Sequence, residues 1–147
     1  MSNMRALYEE VILDHNRNPR NYPKKPAGCN YRAHGFNPLC GDEFTINLTI
    51  ENGVIKDAGF EGAGCAISTA SASLMTEALI GKTVDEAEAM FRNVHNLLTQ
   101  EGPIGELGKL KVLTGVREYP VRVKCATLAW HTLHAALQKE PETVCTE

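Results

Sequence analysis

The sequence predicts an α+β fold: a small antiparallel β-sheet with helices packed on one face. Three observations point there. Phe44, Ile46, Leu48 and Ile50 alternate with Thr45, Asn47, Thr49 and Glu51, the period of a strand with one face inward. Asn52-Gly53 follows at once, and both residues tolerate the positive φ of a type I′ turn, so a return strand is expected from about Val54 to Phe60. From Cys65 onward the period changes to about 3.6 residues and stays helical to the end. Strands first and helices after is the pattern of an α+β domain.

The elements follow in order. Leu7, Val11 and Ile12, with Met4 and Tyr8 beside them, predict an amphipathic helix over Met4 to Asn16. Asn18-Pro19-Arg20-Asn21-Tyr22-Pro23 ends it and begins an irregular segment that lasts to the hairpin. After the hairpin, Cys65 to Leu79 is a helix of small residues (Ala66, Ser68, Ala70, Ser71, Ala72, Ser73), stopped by Gly81. Small side chains let it lie close to the sheet. Thr83 with Glu86 three residues on is a capping box, and Val84, Ala87, Phe91, Val94, Leu97 and Leu98 supply the apolar face behind it. Gly102-Pro103 breaks that helix before a short helical piece near Leu107 to Leu113. Leu128, Ala129, Leu133, Ala136 and Leu137 mark a last helix from about Lys124 to Gln138. No linker or repeat interrupts residues 1–147, which are read as one domain.

Composition narrows the functions. The chain is 43% hydrophobic and 22% charged, ordinary for a globular protein able to build a core without disulfide staples. A net charge of −3 makes no electrostatic case for nucleic acid or an anionic membrane as partner. No apolar run reaches the ~20 residues of a membrane span, and Met1 to His15 lacks the features of a signal peptide. The expected location is the cytoplasm. There, five cysteines imply thiol or metal chemistry rather than disulfides.

Three of those cysteines and an aspartate stand where one element hands over to the next. Cys40 and Asp42 lie in Asn37-Pro38-Leu39-Cys40-Gly41-Asp42. Cys65 follows the glycine-rich Glu61-Gly62-Ala63-Gly64, and Cys125 follows Val121-Arg122-Val123-Lys124. Cys65 and Cys125 are expected to open helices, where backbone N–H groups and the helix dipole favour thiolate over thiol. Three sulfurs and one carboxylate make four donors, the number zinc takes in a tetrahedron. The gaps between them are long, so the fold has to bring them together. On spacing alone, a metal site, a sulfur-handling site and ordinary structural roles all stay open.

Four blocks in order resemble the IscU/SufU family of iron–sulfur cluster assembly proteins, whose domain is that of the NifU N-terminus. They are Tyr8 to His15 with Asn18-Pro19-Arg20-Asn21; Asn37 to Asp42; Gly62-Ala63-Gly64-Cys65-Ala66-Ile67-Ser68 with Ala70-Ser71-Ala72-Ser73; and Arg122-Val123-Lys124-Cys125-Ala126-Thr127-Leu128-Ala129-Trp130. Together they span nearly the whole chain, and they imply an IscU-like fold. IscU scaffolds carry a histidine directly before the third cysteine. Here Lys124 stands there, and an ammonium cannot coordinate a metal. The Thr83 to Val116 stretch is long enough to be an insertion found in the SufU branch, so the chain is more similar to SufU.

That resemblance implies a Zn²⁺-dependent sulfur acceptor, with Cys40, Asp42, Cys65 and Cys125 as metal ligands. Its partner would be a pyridoxal-phosphate-dependent cysteine desulfurase of SufS type. The desulfurase holds sulfur as a persulfide, and one of its histidines takes a place on the zinc and releases Cys40. Cys40, the catalytic thiolate, then accepts the sulfur for downstream Fe–S scaffold proteins. Whether such a carrier counts as an enzyme is left open. An Fe–S scaffold that builds a cluster, and so binds iron, on the same four residues is the alternative, and a purely structural zinc is a third reading. Lys124 or Arg122 is expected near the site, offsetting its negative charge.

The other chemistry-bearing residues take plainer expectations. Cys29, in a glycine-containing loop, and Cys145, in a tail after Pro141, are read as spare thiols. His131 and His134 on the last helix, like His15, His34 and His95, are read as solvated or core-edge residues. Trp130 is read as packing, and the Ala/Ser run after Cys65 as helix contact rather than a nucleophile.

Overall fold

A computed structural model describes residues 2–38, 41–105, 107–138 and 143–145. The elements run α1 (Ser2–Arg17), β1 (Tyr31–Asn37), β2 (Asp42–Glu51), β3 (Val54–Ala63), α2 (Ala66–Leu79), α3 (Val84–Thr99), a 3-10 helix (Gly108–Glu118), α4 (Pro120–Gln138) and β4 (Thr143–Cys145). The sheet order is β3-β2-β1-β4. The first three strands are antiparallel, and the short β4 joins β1 in parallel.

The hairpin forms as its sequence predicts. Asn52 and Gly53 take φ values of 53° and 75°, and Glu51 faces Val54 across the turn. The inward residues Phe44, Ile46 and Leu48 are fully buried with Ile55 and Phe60 opposite. Helices α2 and α4 cover this face, α1 packs on α2, and α3 packs on α4. On the other face Asn47 and Thr49 of β2 are also buried. The segment entering β1 crosses them, with Asn47 donating from Nδ2 to the Lys24 carbonyl at 3.2 Å and Thr49 from its hydroxyl to that of Ala27 at 3.1 Å.

Strand β1 is a departure from the sequence reading, which left this stretch irregular. Its buried positions are Ala33, Gly35 and Asn37, two small residues and one polar one, so the hydrophobic alternation that betrays a strand is missing. The choice of small residues is steric. A β-carbon at Gly35 would overlap the Thr132 hydroxyl of α4, so the helix lies directly on the strand. Cys145, which the sequence places in a tail after Pro141, lies on β4 opposite Phe36 of β1.

The helix caps follow the sequence closely. Thr83 and Glu86 make the reciprocal capping box, at 2.9 and 3.1 Å, and the resulting hydrogen bonds hold the Glu86 carboxyl below its usual range. Helix α4 starts earlier than expected, at Pro120. Proline suits a first helical turn because it has no N–H to leave unpaired. Cys125 is therefore more than a turn inside α4 and fully buried, not at its start.

Candidate metal centre

The antiparallel pairing brings the start of β2 and the end of β3 to one edge, where Glu43 faces Ala63. Asp42 opens β2 and Cys65 follows β3, so two residues far apart in sequence become neighbours. Asp42 is 1% exposed, and its Oδ1 accepts the Cys65 backbone N–H at 2.9 Å. Its Oδ2 lies 4.0 Å from Cys65 Sγ. This is not an ordinary strand-edge carboxylate: one oxygen is fixed by the backbone and the other is turned towards sulfur.

Cys65 caps α2. Its sulfur accepts the Ser68 N–H at 3.4 Å, and the Ser68 hydroxyl donates back to the Cys65 carbonyl at 3.1 Å. Cys125 comes from below. The Ser71 hydroxyl of α2 donates to the Ala126 carbonyl at 2.7 Å and accepts the Trp130 indole N–H at 3.1 Å, locking α4 against α2. The Ala/Ser run is thus contact surface, as its composition suggests, and Trp130 is packing.

One liganding atom each from Asp42, Cys65 and Cys125 lies within 4.8 Å of the others. Among the described residues this is the one such group of three. Two thiols and a carboxylate, mostly buried, suit zinc or iron, and burying them together is costly without a cation to balance the charge. Cys40 lies outside the described residues. Its neighbours bracket it: the Gly41 N–H bonds the Asn37 carbonyl at 2.8 Å and Asn37 pairs with Asp42, so the β1–β2 connection that contains Cys40 closes beside the group.

Two supporting residues escaped the sequence reading. Gly64 leaves no room for a side chain: a β-carbon would overlap the Ser68 hydroxyl and come within 2.9 Å of Asp42 Oδ1. Tyr8 of α1 is buried near the site. Burial pushes its phenol up first, and the neighbouring acidic groups Tyr119, Glu118 and Cys65 add to that through their charged forms. The glycines flanking Ala63 were the available signal for the first; nothing local marks the second.

Comparison with known proteins agrees with this architecture. Residues 7–144 match the NifU-like N-terminal domain. The zinc-dependent sulfurtransferase SufU of Bacillus subtilis (strain 168) is 38% identical over 141 residues, covering 95% of each chain. The iron–sulfur cluster assembly scaffold protein IscU of Thermotoga maritima is 41% identical over 136 residues, covering 92% of this chain and 95% of the relative. An iron–sulfur cluster assembly scaffold protein for the SUF system, from Fervidobacterium islandicum AW-1, superposes with a TM-score of 0.83 at 38% identity, over 90% of this chain and 97% of that one. The fold is that of a NifU-type domain. The chain belongs to the SufU/IscU family of iron–sulfur cluster assembly proteins.

Proposed function

We propose that this protein is a zinc-dependent sulfur acceptor that takes sulfur from a cysteine desulfurase onto Cys40. The observation that carries the reading is the convergence of Asp42, Cys65 and Cys125 beside the connection that holds Cys40. Cys40, Asp42, Cys65 and Cys125 would be the ligands, and zinc would keep the thiols deprotonated and shielded from oxidation. Cys65 and Cys125, each anchored by a helix, are the fixed ligands. Cys40, next to Gly41 on a connecting loop, is the sulfur that moves.

The transfer is a thiol exchange. The Cys40 thiolate attacks the terminal sulfur of the desulfurase persulfide and forms a new S–S bond. The old S–S bond breaks, and the desulfurase cysteine leaves as thiolate. No net oxidation occurs, and the sulfur rides on as Cys40 persulfide for cluster assembly. Lys124, in the place where IscU scaffolds have a histidine, favours this reading, as does the name of the B. subtilis relative.

A scaffold that assembles a cluster on the same four residues is the second reading. The T. maritima IscU, similar to this chain at 41% identity, is the observation that favours it. Desulfurase turnover with and without the protein separates the two. Strong stimulation by a colourless, zinc-loaded sample, lost in Cys40→Ser, is the expected result. No stimulation, from a brown protein that binds iron and sulfide through these cysteines, would establish the scaffold instead.

A further inference from the structure

We infer that His95 of α3 and His131 of α4 form a second metal site, for a borderline divalent ion such as Zn²⁺, Ni²⁺ or Cu²⁺, at the seam between the two helices. Three histidines gather there around Phe91. His134 is committed to packing: it stacks on Phe91 with centroids 4.6 Å apart and planes 8° apart, and its Nδ1 bonds Glu88 at 2.8 Å. The Gln138 amide also donates to Glu88, which fixes the carboxylate in place. His95 and His131 also pack on Phe91, one stacked at 6.0 Å and the other edge-on at 5.4 Å, but no ring nitrogen of either is hydrogen-bonded among the described residues.

Their geometry suits one shared ion. The ring centroids are 5.5 Å apart, with planes 78° apart. With a metal–nitrogen bond of about 2.1 Å, each ring centre sits about 3.2 Å from the ion, and a tetrahedral angle then separates the centres by about 5.2 Å. His95 Nδ1 is buried without a hydrogen-bond partner, an arrangement proteins normally avoid. Its other nitrogen, Nε2, lies 3.9 Å from the exposed Glu101 carboxylate, close enough to feel its charge but not hydrogen-bonded to it. Among the described residues, neither nitrogen of His131 makes a hydrogen bond.

Protonation favours binding too. Burial first, then the neighbouring His95 and His134, push His131 below its usual range, so its ring is neutral and available at physiological pH. With two protein ligands, water completes the coordination, and the ion exchanges more readily than one at the cysteine site. The sequence hid the pair because His95 and His131 lie on different helices, α3 and α4.

The test is a zinc titration of protein already carrying one equivalent, followed by long-range ¹⁵N–¹H NMR of the imidazoles. The expected result is a saturable shift of the His95 and His131 ring nitrogens together, with His15 and His34 unmoved. His131→Gln and, separately, His95→Gln should each remove the response of the remaining ring. Unmoved His95 and His131 signals in excess zinc would overturn the site. So would a full His95 response in His131→Gln, which would mark one adventitious imidazole. The cysteine ligands contribute no imidazole signal, so this outcome is independent of the sulfur-acceptor reading.

Discussion

Single atoms decide how the candidate centre is held. Asp42 accepts the Cys65 N–H on Oδ1 and turns Oδ2 towards the Cys65 sulfur, and Gly64 provides the clearance that makes this possible. Gly64→Ala should therefore push the carboxylate off the backbone and weaken zinc binding about 10–100-fold, the usual cost of losing a group that orients a ligand. Competition with a chromophoric chelator measures it. His15 sets a different dependence. It is fully buried, with Nδ1 2.7 Å from the Ser73 hydroxyl, and burial followed by Lys109 and Arg20 pushes its pKa below the ordinary 6.5. The unfolded chain takes up that proton near pH 6.5, whereas the folded chain does so only at lower pH. Its contribution is thus whole above about pH 6.5 and is lost as the pH falls from there towards the folded value. Denaturation midpoints of wild type and His15→Gln, compared at about pH 7.5 and 5.5, should show a shallower decline in the variant.

At the scale of elements, contact between α4 and β1 is the most sensitive seam. Gly35→Ala forces a methyl into Thr132 and should cost about 1–3 kcal/mol by denaturant unfolding. Loss of the α3 cap in Thr83→Ala should cost about 1 kcal/mol. These two residues also mark what the sequence could and could not show. The cap was legible because its two residues lie three apart and act on each other alone. The hairpin was legible for the same reason, in Asn52 and Gly53. Strand β1 was not, because Ala33 and Gly35 are chosen by a helix that starts more than 80 residues later. The start of α4 was missed because Pro120 looks like a breaker until its place in the first turn is seen. In the centre, motif resemblance named the four residues, whereas the Asp42–Cys65 backbone bond and the room at Gly64 needed the fold.

For the molecule as a whole, a metal held at the candidate centre and the fold would form one system. The ligand-bearing residues come from β2, the start of α2 and the interior of α4, so an ion bound by all of them ties the sheet to both helices that cover it. Removing zinc with a strong chelator should lower the thermal midpoint, and restoring it should raise the midpoint in proportion to the logarithm of free zinc. A Cys125→Ser variant should lose most of that response, since it severs α4 from the set.

The depth of Cys125 within α4 has a further meaning during synthesis. Residues 42 and 65 leave the ribosome well before residue 125, and at about 5–20 residues per second the interval is about 3–12 s. For that time the hairpin can form and bring Asp42 and Cys65 together with Cys125 still unmade. The Cys65 sulfur so placed is open to any passing ion or oxidant. Cys125 arrives last and carries the helix that buries the group. The final turns of translation, rather than the first encounter with metal, would then select which ion the protein keeps.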